Sequence, residues 1–180
     1  MAPVEEAQAS AAQAAPADAV ELAYREHGRD LLAFLISATR EPELAADVLQ
    51  ESFLRLVRAT RTEQPPLDSR AWLFRVAGNL TISMARRRAT MRRWAPWLVS
   101  DDRQDSPEHD YLRREDRDRV HAGLAALRLD DRVALLMAAN GFATSEVAAA
   151  VRRSELATRS LLCRARIRLR RELERQETDR

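Results

Sequence analysis

The sequence predicts an all-α protein made of two small helical domains, an N-terminal helix bundle and a C-terminal helix-turn-helix, joined by a flexible acidic linker. Three observations carry that expectation. Apolar residues make up 46% of the chain, and they recur at helical rather than alternating spacing. Only 4 Gly and 7 Pro interrupt 180 residues, which suits long helices. The periodicity breaks down once in the middle, where residues 95–110, APWLVSDDRQDSPEHD, are acidic and proline-bearing.

Residues 1–18 are Ala, Gln, Glu and Pro with few large apolar side chains, and they read as a disordered tail. The N-terminal domain is expected over 19–94. In its first helix Tyr24, His27, Leu31, Phe34, Leu35 and Ala38 share one face. Pro42 opens the second helix in its first turn. There Ala45, Val48, Leu49, Ser52, Phe53, Leu56 and Val57 follow a strict helical stripe, and Asp47, Gln50, Glu51, Leu54, Arg55 and Arg58 occupy the other face.

Residues 60–68, TRTEQPPLD, form a loop fixed by Pro65 and Pro66. Asp68 or Ser69 then caps a long helix reaching about Arg93, with Leu73, Val76, Ala77, Leu80 and Met84 as its buried stripe. Trp72, Arg75, Asn79, Ser83 and Arg86 lie on another face. The C-terminal domain is expected over 111–176. Val120, Leu124 and Leu127 mark one helix, and Val133, Leu136 and Met137 the next. The region of Gly141 ends that second helix. Thr144 or Ser145 caps a short helix through Val151, and a turn at Arg152–Ser154 leads into a last helix from about Glu155. Ala148, Val151, Leu156, Ser160 and Leu162 are expected to close this helix-turn-helix.

The net charge of +2 hides a segregation. Residues 1–68 carry 6 Arg and 12 acids, residues 69–94 carry 7 Arg and no acid, residues 95–131 carry 6 Arg and 10 acids, and residues 132–180 carry 11 Arg and 6 acids. Two basic blocks in an otherwise acidic chain point to two contacts with a polyanion. All 30 basic residues are Arg, whose planar fork suits phosphates and guanine edges.

Four constellations follow. The end of the long helix, RRRATMRRW, concentrates Arg86, Arg87 and Arg88 with two further arginines for phosphate contact. Trp72, Arg75 and Asn79 offer a stacking ring, a cation and a base-reading amide, although a Trp near a helix start more often packs in a core. In the last helix Arg159, Ser160, Cys163 and Arg164 share one exposed side, as in a helix that reads the major groove. On the second helix Asp47, Gln50, Glu51, Leu54 and Arg55 set an exposed Leu among charges, which suits a helix-in-contact partner.

Enzyme chemistry finds no support: His27, His109 and His121 are scattered, no metal-ligand spacing includes Cys163, and neither a phosphate loop nor a nucleophile motif occurs. No cofactor and no metal are expected. With one cysteine, no secretory start and no apolar run long enough to span a bilayer, the sequence reads as a cytoplasmic protein without membrane insertion.

From about Ala19 to Arg175 the chain resembles alternative sigma factors of the extracytoplasmic-function group, in the sigma-70 family. AADVLQESFLRLVRA resembles their core-polymerase-binding helix, SRAWLFRVAGNLTISMARRR their −10 reading and melting helix, and NGFATSEVAAAVRRSELATRSLLCRARIRLRREL their −35-binding helix-turn-helix. The resemblance implies promoter recognition and DNA melting as a dissociable polymerase subunit. It implies RNA polymerase core enzyme, double-stranded and melted promoter DNA, and an anti-sigma factor as partners. Asp47, Gln50, Glu51, Leu54 and Arg55 would bind polymerase. Trp72, Arg75, Asn79, Arg86, Arg87 and Arg88 would serve the −10 element, the loop at 60–68 would capture a flipped base, and the acidic linker would thread the polymerase cleft. Arg159, Ser160, Cys163 and Arg164 would read the −35 element. The chain departs from the family pattern at Ala46, where an acid is usual, at Arg152, where a Gly often makes the turn, and at Leu161, which replaces a common basic residue. The alternative reading is a helix-turn-helix regulator whose N-terminal helices sense or dimerise.

Overall fold

A computed structural model describes residues 16–62, 64–94 and 111–178, and every regular element among them is helical. In chain order these are α1 (Pro16–Thr39), α2 (Pro42–Ala59), α3 (Ser69–Trp94), α4 (Tyr111–Ala125), α5 (Leu129–Ala139), α6 (Thr144–Val151) and α7 (Glu155–Thr178). The expected linker at 95–110 and most of the expected tail lie outside the described residues. As described, α1 runs from Pro16, so its first residues fall inside the expected tail.

Local chemistry sets the breaks. Between α1 and α2, Arg40 takes a left-handed conformation (φ 62°), and Thr39 Oγ1 donates to the Leu35 carbonyl at 2.8 Å. Pro42 begins α2. Asp68 Oδ1 accepts the Ala71 N–H at 2.9 Å, so Asp68 is the residue that caps α3. α5 ends at Gly141, whose φ of 84° no other residue type adopts cheaply. Gly141 N–H donates to Ala138 O and Phe142 N–H to Met137 O, a Schellman closure that turns Phe142 back into the core. At α6 neither hydroxyl caps: the Glu146 carboxylate reaches back to the Ala143 N–H at 2.7 Å. Ser154 Oγ accepts the Ala157 N–H at the start of α7.

α1 and α2 pack side by side and α3 lies against both, while α5 and α6 cover the opposite side of α3. Leu73, Phe74, Ala77, Leu80, Thr81 and Ile82 are all buried, so α3 has more than one inward face. The aromatic rings trace this layering. Phe34 of α1, Phe74 of α3 and Phe142 after α5 stand in line, with centroids 5.2 and 4.8 Å apart. Thus the two halves that the sequence separates share one hydrophobic core in this structure, running from Ala23 and Leu31 to Leu162 and Ala165. Gly78 marks a close approach between them: a Cβ there would stand 3.2 Å from Val133 Cγ1 and 3.4 Å from the Ala150 Cβ.

α7 turns differently from the expectation. Its inward stripe is Thr158, Leu161, Leu162 and Ala165, while Leu156 and Ser160 face solvent. Leu161 is therefore a core residue and lies off the exposed side of α7. Its apolar body fills the space between α7 and its neighbours, which a cation would have to leave.

Candidate nucleic-acid interface

The candidate reading face of α7 is built by subtraction. Once Thr158, Leu161, Leu162 and Ala165 are buried, the helix period leaves Arg159, Ser160, Cys163 and Arg164 outward, and all four are exposed. Arg159 is held only loosely, 3.4 Å from Glu155 one turn earlier, an exposed pair of little strength. Ser160 donates to its own helix at Leu156 O. The turn before this helix depends on Arg152, which adopts the left-handed region (φ 55°, ψ 52°) that a Gly would take freely, and Arg153 N–H closes back on Ala148 O at 3.0 Å. The usual turn geometry is thus present without the usual glycine.

On α3 the six sequence-assigned residues divide. Arg75 and Arg87 point to solvent. Arg86 pairs with Asp130 at 3.1 Å, and Arg88 pairs with Glu41 at 2.5 Å. Trp72 is half-buried against the core, in keeping with the packing preference of a Trp near a helix start. Its remaining surface lines a cleft of about 350 Å³ together with the loop residues Pro66, Leu67 and Asp68, and with Ser145, Glu146 and Ala149 of α6. Asn79 has both ends of its amide engaged. Its Nδ2 donates to Ala149 O at 3.3 Å, and its Oδ1 accepts from Arg152 Nε at 3.0 Å. The loop after α2 is braced by Thr60 and Thr62 hydroxyls donating to Val57 O and Ala59 O, and presents Leu67 fully to solvent.

The polar face of α2 stands away from the core. Asp47, Gln50, Leu54 and Arg55 are exposed, Leu54 at 45%, and Glu51 is half-buried. Glu51 and Arg55 pair one turn apart at 2.7 Å. Behind this face, Ser52 is buried and donates to Val48 O, so a hydroxyl sits in the apolar stripe at no cost in unpaired groups.

Sequence reasoning passed over the residues that join the halves. Arg70 donates to the Asn140 carbonyl at 2.8 Å, and its guanidinium lies 4.4 Å from the Phe142 ring centroid. Asp130 lies between Arg86 and Arg153. Arg132 is buried and donates to the carbonyls of Ala38, Leu124, Ala125 and Leu127. Burial, and after it the charge of Arg40, lowers its pKa. The partners of Arg70 and Asn79 are about seventy residues away in sequence, beyond any local signal. Among the described residues no cluster of His, Cys, Asp and Glu could hold a metal, and no helix is long and apolar enough to cross a membrane.

Comparison with known proteins bears on this arrangement. Residues 23–90 match Sigma-70 region 2, which sets aside the alternative of a sensing or dimerising N-terminal module. The chain is 27% identical over 142 residues to the ECF RNA polymerase sigma factor SigX of Bacillus subtilis, covering 75% of this chain and 73% of that one. It is 34% identical over 136 residues to the ECF RNA polymerase sigma factor SigL of Mycobacterium tuberculosis, covering 73% of this chain and 70% of that one. In fold it is similar to the sigma factor RpoE solved with the anti-sigma factor NepR from Bartonella quintana, with a TM-score of 0.70, 24% identity and coverage of 86% and 96%. It is similar also to CnrH solved with the cytosolic domain of CnrY, with a TM-score of 0.64, 24% identity and coverage of 92% and 94%. Basic helices, an acid-free α3, the helix-turn-helix and these relatives agree: the chain belongs to the ECF RNA polymerase sigma factors, alternative sigma factors that act in transcription initiation.

Proposed function

We propose that three surfaces divide the work of initiation. Asp47, Gln50, Glu51, Leu54 and Arg55 on α2 dock on the polymerase core. Trp72, Arg75, Asn79 and Arg86–Arg88 on α3, with the loop at 60–68, read and open the −10 element. Arg159, Ser160, Cys163 and Arg164 on α7 read the −35 element in the major groove. The observation that carries this reading is the separation of roles on α2 and α7: every residue assigned to a partner there lies off the buried stripe, so it is held rigidly yet available.

The chemistry fits each role. An exposed Leu ringed by charges gives a partner helix an apolar anchor with a polar rim. Arg at the major groove donates two hydrogen bonds to guanine, and arginines at a helix end neutralise phosphates. The protein carries no catalysis of its own; it works in the cytoplasm, and an anti-sigma factor, as NepR is for the structural relative RpoE, holds it in check. Transcription by sigma-free core polymerase on a promoter library, with the unmodified protein and with Asp47→Arg and Arg164→Ala, tests the assignment. Asp47→Arg is expected to lose the complex with core, and Arg164→Ala to lose discrimination at the −35 element. Normal core binding by Asp47→Arg, or an unchanged −35 preference in Arg164→Ala, would refute the corresponding surface.

A further inference from the structure

Leu156 is 73% exposed, more than any other large apolar side chain among the described helical residues. It stands in the first turn of α7, just after Ser154, whose Oγ accepts the Ala157 N–H at 3.2 Å. A single exposed leucine is ordinary on a protein surface. The setting of this one is not. Ser160, Cys163 and Ile167 follow it at i+4, i+7 and i+11, all exposed and all uncharged, so the four lie in line along the helix. Arg159 and Arg164 flank that line on either side. Ser160 spends its hydroxyl proton inside the helix, on Leu156 O at 3.1 Å. On a helix this rich in arginine, a weakly polar strip runs down the middle of the outward face and begins with a leucine.

The first residues of a recognition helix are the ones that reach base edges. In the major groove those edges carry hydrogen-bonding groups, and only thymine adds an apolar one, its 5-methyl group. A leucine has no donor or acceptor. Set on guanine or cytosine, it leaves dehydrated polar groups unpaired. Set on thymine, it buries a methyl group. We propose that Leu156 is a specificity-determining residue that selects a thymine in the −35 element by packing on its 5-methyl group. The inference rests on the assignment of α7 to the −35 element, and adds to it a base and the group by which that base is chosen. The arginines on either side cannot make this choice, since their forks gain from guanine and phosphate oxygens.

Deoxyuridine tests the idea, because it pairs like thymine and lacks only the methyl group. Holoenzyme assembled from core polymerase and the full-length protein first selects duplexes from a pool randomised over the −35 element. Each thymine of the selected element is then replaced in turn by deoxyuridine, and binding is measured by competition. One replacement is expected to weaken binding about fourfold, the worth of burying one methyl-sized group. In Leu156→Ala that loss should vanish, and selection at that position should no longer favour thymine. Leu156→Met, which keeps an apolar side chain of similar reach, should restore most of it. Deoxyuridine that binds as well as thymine at every position would overturn the proposal, as would a loss that persists unchanged in Leu156→Ala. Weaker assembly of Leu156→Ala with core polymerase, beside an unchanged deoxyuridine effect, would place the side chain on a protein partner and overturn it too. If α7 does not read the −35 element, selection shows no preference there and Arg164→Ala is silent. Failure of the thymine contact alone leaves that preference and the Arg164→Ala effect in place.

Discussion

The guanidinium of Arg132 donates to the Ala38 carbonyl at 2.8 Å, across ninety-four residues of sequence. Its remaining donors serve Leu124, Ala125 and Leu127. The end of α1, the end of α4 and the first turn of α5 are thereby held by one buried cation with no carboxylate partner among those acceptors. The carbonyls at helix ends have no partner within their own helices, and an arginine fork can satisfy several of them at once.

Arg132→Met should therefore destabilise the protein more than the loss of one hydrogen bond. Each buried carbonyl left unpaired costs about 1–3 kcal/mol, so a total of about 3 kcal/mol is expected after some rehydration. Arg132→Lys keeps a charge and a long stem but cannot reach several acceptors, and should recover less than half of that loss. Urea denaturation of the three proteins checks this, and equal midpoints for Arg132→Met and the unmodified protein would contradict the assigned role.

The Phe34, Phe74 and Phe142 rings make a second prediction about the shared core. Phe142 is 7% exposed and meets both Phe74 and the Arg70 guanidinium. Truncating such a buried aromatic costs about 3–5 kcal/mol when the neighbours cannot collapse. The unmodified protein is expected to melt in one thermal transition and Phe142→Ala in two, because the contact between halves weakens more than either half does. Calorimetry would show this. Two transitions already present in the unmodified protein would mean that the halves do not fold as one unit.

Much of this fold is readable in the sequence where one helix buries one face. In α2, Ala45, Val48, Ser52, Phe53 and Leu56 are buried as the period requires. α3 was harder, since Phe74 and Ile82 fall outside its expected stripe and are buried by a second layer of helices. In α7 the dense arginines leave few apolar positions to set the phase. Leu156 and Ser160 therefore stood in for Thr158, Leu161 and Ala165 in the expected inward stripe. Of the site, the outward residues of α2 could be read from local spacing, whereas on α7 that spacing put Ser160 both in the inward stripe and on the exposed side. The pairing of Asn79 with Arg152 could not, because it depends on how two distant segments dock.

The α2 face yields a prediction that separates binding from stability. Leu54 is exposed among Asp47, Gln50, Glu51 and Arg55, so Leu54→Glu removes no core contact. Surface substitutions of this kind change stability by about 0.5 kcal/mol or less. An apolar anchor at the centre of an interface is worth more than about 2 kcal/mol when lost. The expected result is an unchanged melting temperature and at least a tenfold weaker complex with core polymerase, measured by fluorescence anisotropy. A fall in melting temperature matching the loss of binding would assign Leu54 to folding instead.

The arginines of α7 should divide into two kinds by their response to sequence and salt. Arg164 is exposed beside Cys163 on α7, off the buried stripe of Leu161 and Ala165, and its proposed role is to read base edges. A good bidentate contact discriminates by about 1–3 kcal/mol, so Arg164→Ala should weaken binding to a −35 duplex roughly tenfold and leave binding to a scrambled duplex almost unchanged. Arg171 lies farther along the helix and is also exposed, and a phosphate contact is the role expected of it. Arg171→Ala should weaken binding to both duplexes alike and lower the salt slope by about one. Anisotropy titrations at several salt concentrations distinguish the two. If Arg164→Ala weakened both duplexes equally, α7 would be holding the DNA backbone without reading its sequence, and promoter choice would have to lie on α3.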